Sequence, residues 1–323
     1  MRSVVLFPGL APTSFAAIGD FLARSGPGRR RIAAADEVLG YSLLAAFRDA
    51  GAGQWAVYDC AYLACTLALA DHLHDQLDGP AGFAAEQLEP PVACAGLSFG
   101  GFPAAVYAGG LDYADAIGLV SRSAARQARF LAELPEPAGC HFFYRLDRAT
   151  VEEIVAELRE AGRWIEISAD LGLSVHAVSG TMQTLELVRQ RVSERGGSPI
   201  YTMDRPQHCA AMAELRDELG EQVYPDARFR PPAIPVVSDV DGSLVRSATQ
   251  LSWTLLQGWT EPVHIQITLD ALIRHRIERV YLVGPRTMFG RLLGGLFDVV
   301  VVSPETVLAG ALPLRRDEVG VLR

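Results

Sequence analysis

No apolar run in this 323-residue chain reaches the ~20 residues needed to span a bilayer, so no transmembrane segment is expected. The opening SVVLF run (3–7) has no basic stretch before it and no cleavage site after it, so no leader is expected either. Basic residues are in short supply: 29 against 38 acidic ones, a formal net charge of −9. That balance argues against nucleic acid as the main partner and against a polybasic membrane anchor. An acidic protein partner stays open, provided basic side chains cluster locally. The five cysteines (Cys60, Cys65, Cys94, Cys140, Cys209) are odd in number and lack metal-ligand spacing. Buried thiols in a reducing cytoplasm are the simplest reading, with no metal site. What the chain does have is apolar mass. Half of it is hydrophobic and 21% is charged, the balance of a globular protein with a real core.

SVVLF has the pattern of a buried strand stopped by Pro8 and Gly9. Helical patterns follow around 14–25 and 36–50, and a third, strongly apolar one from about 57 to 77. In PVACAGLSFGGFPAAVYAGG a strand (91–95), a glycine-rich corner and a small-residue helix come in immediate succession, which means α/β architecture. Residues 138–203 change rhythm. HFFYRL, TVEEIVAELREAG, WIEIS, SVHAVSG, MQTLELVRQRVSERG and SPIYTM read as βαββαβ, a ferredoxin-like insert entered through ELPEPAG (133–139). The α/β pattern then resumes with strands in AIPVVSDVDG (233–242), RVYLVGP (279–285) and FDVVVVS (297–303). The expected organisation is one large domain from 1–137 and 204–323, with the subdomain 138–203 inserted.

The glycine-rich corner holds Gly96-Leu97-Ser98-Phe99-Gly100, a G-x-S-x-G pentapeptide. Glycines on both sides permit a strained strand-to-helix turn that pushes a serine Oγ out of the sheet. The helix behind it offers free N–H groups where an oxyanion would form. Read functionally Ser98 is a nucleophile; read structurally it is a packing corner. Seven histidines compete to be its base. His72, His74 and His275 sit where solvated residues are expected, and His141, His176 and His264 lie in strand-like runs. His208, in DRPQHCAAM, follows a proline turn directly after the insert, where catalytic groups tend to be placed.

FPG (7–9), GLSFGG (96–101), AGGLDYADAIGLV (108–120), PQHCAAM (206–212), PVVSDVDG (235–242) and VYLVGP (280–285) occur in that order. Together they resemble the malonyl-CoA:acyl-carrier-protein transacylases and the acyltransferase domains of polyketide synthases. The resemblance implies an α/β-hydrolase-like large domain with a parallel sheet and the ferredoxin-like insert. It implies Ser98 as acyl-accepting nucleophile and His208 as general base. Backbone N–H groups of Leu10 and Phe99 would form the oxyanion hole, although the family has glutamine at the Leu10 position. A backbone carbonyl would orient the histidine, that of Gln257, or of Gly258 because the spacing to Pro262 runs one residue long. Leu97 replaces the family's histidine before the nucleophile; with Gln207 and Ser123 it is placed in the acyl pocket.

Malonyl-type members hold the substrate carboxylate with an arginine on the helix after the nucleophile, a natural use of the bidentate guanidinium. Counted without gaps from Asp112, that position is Ser123, and Arg122 comes one residue early. At about 100° per residue, Ile117, Val120, Ala124, Ala128 and Leu131 share one face, while Arg122, Arg126 and Arg129 lie opposite. The expectation is that Arg122 faces water and the pocket has no carboxylate clamp.

The resemblance then implies an acyltransferase that moves an acyl group, aminoacyl or dipeptidyl in some relatives, between acyl carrier proteins in polyketide biosynthesis through an acyl-serine. No bound cofactor is implied, since phosphopantetheine arrives on the substrate. An acyl-carrier hydrolase using the same residues is the first alternative. A malonyl-CoA transacylase is the next, if Arg122 reaches the pocket, and a non-catalytic binding module is the last. Carrier proteins are typically acidic, so Arg145, Arg148, Arg286 and Arg291 are expected to form a local docking patch beside the cleft.

Overall fold

The structure is a computed structural model and describes residues 1–78, 90–286 and 289–309. Its strands, in chain order, are β1 (Ser3–Phe7), β2 (Ala93–Gly96), β3 (Ala138–Tyr144), β4 (Ile165–Asp170), β5 (Val175–Thr181) and β6 (Ser198–Met203). They continue with β7 (Val236–Val237), β8 (Leu244–Val245), β9 (Val263–His264), β10 (Arg279–Val283) and β11 (Asp298–Val302). One sheet has the order β11-β10-β1-β2-β7-β8. All its pairings are parallel except the terminal β7–β8 pair. All five residues of β1 and of β10 are buried. That is why their sequences are continuous apolar runs rather than alternating ones: helices cover both faces of a parallel sheet. The helix Trp55–Asp78 lies in this core, with Cys60 to Ala70 fully or almost fully buried.

The second sheet has the order β6-β3-β5-β4-β9. Residues 138–203 build its first four strands, in the strand order of a ferredoxin-like unit, around a core of Phe143, Ile154, Leu158, Val178, Leu185 and Val192. The fifth strand comes from the large domain, where β9 pairs in parallel with β4. The two sheets are thus joined by strand pairing as well as by chain crossings.

Two expectations need correcting. The helical run around 36–50 is broken: one helix covers Gly26–Leu39, and a second covers Leu43–Asp49. Gly40 ends the first in the left-handed region at φ 75°, and the Ser42 hydroxyl caps the second by accepting from the Ala45 N–H. The Gly26–Leu39 helix was missed because GPG and three arginines mask its pattern, although proline is welcome in a first turn. The 233–242 segment also yields only a two-residue strand, because Gly242 at φ 70° turns the chain back into β8.

Candidate active site

Strand β2 ends at Gly96, and a short 3-10 turn from Ser98 to Gly100 leads into the helix Gly101–Tyr107. Ser98 sits at φ 56°, the left-handed region that costs an L-residue strain. The neighbouring glycines make that turn possible. A Cβ on Gly96 would land on the Gly100 carbonyl, and one on Gly100 would land on the Phe7 carbonyl at the end of β1. Gly100→Ala is therefore expected to cost about 3 kcal/mol or more. Gly51→Ala, where a Cβ meets nothing, should cost far less. Chemical denaturation of the two variants checks this.

The Ser98 Oγ lies 2.6 Å from His208 Nε2. His208 also has positive φ, 50°, on a turn that the inserted sheet holds from outside. The Ser179 hydroxyl on β5 accepts from the Gln207 N–H and donates to the Gln207 carbonyl, both at 3.0 Å, and receives the Ser168 hydroxyl at 2.7 Å. Glu166 on β4 accepts from the N–H groups of Ala210 and Ala211, capping the turn that follows the histidine. The insert therefore positions the histidine, and the large sheet positions the serine.

Burial pushes the His208 imidazole down to about 4, and the Gly258 and Glu261 carbonyls beside it partly offset that. Nδ1 is buried with no acceptor among the described residues aligned for a full hydrogen bond, so those carbonyls act on the ring through their dipoles. The Gln257 carbonyl is not one of them. It closes the end of its own helix, accepting from the N–H groups of Thr260 and Glu261 at 3.0 Å. The extra residue before Pro262 is spent on that turn, which moves the orienting position past Gln257.

Two cavities meet at Ser98. The inner one is lined by Ser98, Phe99, Leu10, Gln207, His208 and Ser123, with Val120, Ala124 and Gln127 from the helix Tyr113–Ala132. The other lies toward the insert and is lined by Leu97, Phe142, Leu171, Tyr201, Val263 and Phe289. Leu97 thus belongs to the second cavity and not to the inner pocket in which the sequence had placed it. It precedes the elbow, so its side chain leaves the opposite side of the turn from the helix face. Leu10 lies with Phe99 beside Ser98, on a turn that Tyr62 steadies by donating to the Gly9 carbonyl at 2.8 Å.

Arg122 points away from this site. Its side chain is 46% exposed and faces Asp226 at 3.9 Å. Ser123 is 2% exposed, and its Oγ has no partner among the described residues. The one-residue offset therefore matters: the serine and not the arginine faces the inner cavity.

Four groups at the site were not anticipated. Asp239 accepts from the Ser98 N–H at 2.6 Å, and its burial raises the carboxyl to about 6. Arg205 and Asp59 form a buried bidentate pair at 2.8 and 2.6 Å on the wall of the inner cavity. Gln127 accepts from Arg205 at 3.2 Å. A lone acid in the apolar stretch VYDCAYLACTLALA was the available signal, since a buried charge demands a partner. The partner lies 146 residues away and could not be read from the sequence. Among the described residues, no group of three or more His, Cys, Asp or Glu side chains could hold a metal. No helix among them is long and apolar enough to cross a membrane.

The expected docking arginines fare differently. Arg148 is engaged by Glu152 at 2.7 Å and Asp170 at 3.6 Å. Its side chain remains about half exposed. Arg145 lies over the Tyr144 ring, 5.1 Å from its centroid. Arg286 and Arg291 are exposed on either side of Phe289, which lines the second cavity.

Comparison with known proteins agrees with this architecture. Residues 142–203 match the VinK acyltransferase small domain. The malonyl CoA-acyl carrier protein transacylase of Escherichia coli K12 is 26% identical over 315 residues, 95% of this chain and 94% of its own. Part of the non-reducing polyketide synthase aptA of Emericella nidulans is 32% identical over 184 residues, 56% of this chain and 10% of that protein. Among solved structures, the Xanthomonas oryzae malonyl-CoA:acyl carrier protein transacylase superposes with a TM-score of 0.80 at 20% identity, covering 96% of this chain and 97% of that one. A malonyl-transacylase solved with its type II polyketide synthase acyl-carrier protein gives 0.79 at 22%, covering 96% and 100%. In sequence and in fold, over nearly its whole length, the chain is similar to the malonyl-CoA:acyl-carrier-protein transacylases.

Proposed function

We propose that the protein is an acyltransferase that moves an acyl group other than malonyl between phosphopantetheine thiols, at least one of them on an acyl carrier protein. The observation that carries this reading is the Ser98–His208 pair at the junction of two cavities. One cavity suits an acyl chain, and the apolar one toward the insert suits a phosphopantetheine arm. In the first half-reaction Ser98 Oγ bonds the thioester carbonyl carbon and its proton passes to His208 Nε2. N–H groups of Phe99 and Leu10 receive the developing oxyanion. Collapse breaks the C–S bond, and the proton departs with the thiol. A carrier thiol then attacks the acyl-serine by the same route in reverse. The Gly258 and Glu261 carbonyls stabilise the imidazolium formed on the way.

The acyl group is read as non-malonyl because Arg122 faces Asp226 and solvent while Ser123 occupies the cavity side of the helix. An aminoacyl or dipeptidyl group in polyketide assembly is the reading most consistent with a partly polar cavity whose lining arginine, Arg205, is already paired with Asp59. The likeness of 142–203 to the VinK small domain, and of a longer stretch to a polyketide synthase, also supports it. Carrier docking is assigned to Arg286 and Arg291, with Arg145 at the margin.

Charge reversal Arg291→Glu is expected to weaken transfer from a carrier roughly tenfold at low salt and less at high salt. Loading from an N-acetylcysteamine thioester should be unchanged within about twofold. Equal losses with both donors would place the damage in the catalytic site. The second half-reaction tests the class of enzyme: acyl-enzyme that decays in buffer as fast as with a carrier thiol would mean a hydrolase.

A further inference from the structure

The inner cavity does contain an arginine, carried by a different element from the one where a clamp was sought. Arg205 stands three residues before His208, in the turn that the insert holds. Its side chain is 6% exposed and lines the cavity. It is fully engaged on one side. Nη1 and Nη2 each donate to one oxygen of Asp59, a fork-to-fork pair, and Nη1 also reaches the Gln127 Oε1. The guanidinium lies over the Trp55 ring, 5.3 Å from its centroid. Asp59 itself is 7% exposed and is the one acid in the apolar stretch 57–70 of its helix. Beside this group, Ser123 presents a buried hydroxyl with no partner among the described residues.

We infer that Asp59 is a specificity-determining residue that masks Arg205, so that the cavity rejects carboxylate-bearing acyl groups and accepts neutral ones that can hydrogen-bond. The side chain of Asp59 is itself a carboxylate, held in the bidentate geometry in which arginine would bind the free carboxylate of a malonyl group. A malonyl substrate meets a guanidinium already taken and a negative charge beside it. With the pair neutral overall, the cavity offers hydrogen bonds from the Ser123 hydroxyl and from the Gln127, Gln207 and Thr254 side chains in its lining. That suits an amide or hydroxyl substituent on the acyl chain. Arg122, the nearer candidate in sequence, plays no part. The inference rests on the acyl-transfer reading only for its covalent readout; the occupancy of Arg205 can be tested without it.

The test is Asp59→Asn in the full-length chain, compared with the wild type and with Asp59→Asn/Arg205→Met. Asp59→Asn leaves a buried guanidinium without its counter-charge, which should lower Tm by roughly 5–10 °C. Sodium acetate, in matched sodium chloride controls, should restore that loss saturably, and should do so in neither comparison protein. Intact-mass analysis with malonyl- and butyryl-N-acetylcysteamine should show the malonyl-to-butyryl loading ratio rising at least tenfold over the wild type. No acetate-specific rescue, or an unchanged loading ratio where both adducts form, would overturn the masking role. Acetate rescue with no adduct from either thioester would uphold the masked arginine and refute the acyltransferase reading instead. If Asp59→Asn is insoluble, the double variant decides. Recovery of a folded protein on removing the second charge supports masking, and continued insolubility assigns Asp59 a structural role and overturns it.

Discussion

Ser98→Ala is expected to abolish acyl-enzyme formation altogether while leaving the fold intact. The Oγ is the atom held 2.6 Å from His208 Nε2. The Thr202 hydroxyl stands 2.8 Å from the buried His141 Nδ1, but neither residue lines the two cavities that meet at Ser98. Ser123 is in the same cavity, but among the described residues its Oγ has no partner to take a proton. Replacing Ser98 also leaves the elbow's anchor in place, because that anchor is the backbone N–H bonded to Asp239. Intact-mass analysis after incubation with an acyl thioester reads the outcome, with circular dichroism as the check on folding. An adduct of undiminished stoichiometry in Ser98→Ala would move the nucleophile elsewhere.

His208→Ala should slow acylation by about 10²–10⁴, the usual worth of a positioned general base. The pH dependence gives this prediction its signature. An ordinary histidine would lose its base function as pH falls through about 6.5. Burial holds His208 at about 4, so the ring stays neutral and competent well below pH 6. Acylation carried by His208 should therefore decline only toward pH 4, where the ring takes up its proton. Asp239 adds a separate carboxyl, raised by burial to about 6, bonded to the Ser98 amide. Asp239→Asn keeps an acceptor for that amide and removes the charge. Any inflection near pH 6 should vanish in that variant, while the decline toward pH 4 persists. A limb near 6.5 that survives Asp239→Asn would mean that His208 is far less buried in the working enzyme.

Legibility in the sequence followed the range of the interactions. The strand–turn–helix around Ser98 could be read because its constraint is local: two glycines must stand where a Cβ would strike the Gly100 or Phe7 carbonyl. The insert was readable because alternating strands and amphipathic helices each carry their own period. The facing of Arg122 followed from helix geometry, which sets it opposite the apolar face, and that of Ser123 from the position the resemblance gives to the family's arginine. Long-range pairings were not readable. Asp59 and Arg205 explain each other only once the chain has folded, and Asp239 reaches Ser98 across 141 residues. The Gln257 carbonyl failed for a smaller reason. Which carbonyl escapes a helix end depends on how its last turn closes, and helix boundaries shift by a residue or two without leaving a mark in the sequence. The neighbours of Arg148 could not be read either, since Glu152 and Asp170 meet it only in the folded insert.

The most direct test of the account is a two-step mass measurement on the wild-type protein. It is incubated with a neutral acyl thioester, cleared of donor, and then given either buffer or a holo acyl carrier protein. The account predicts a single acyl adduct that maps to Ser98, persists in buffer, and passes stoichiometrically to the carrier's phosphopantetheine thiol. Absence of any adduct at Ser98 while the acyl group still reaches the carrier would contradict it.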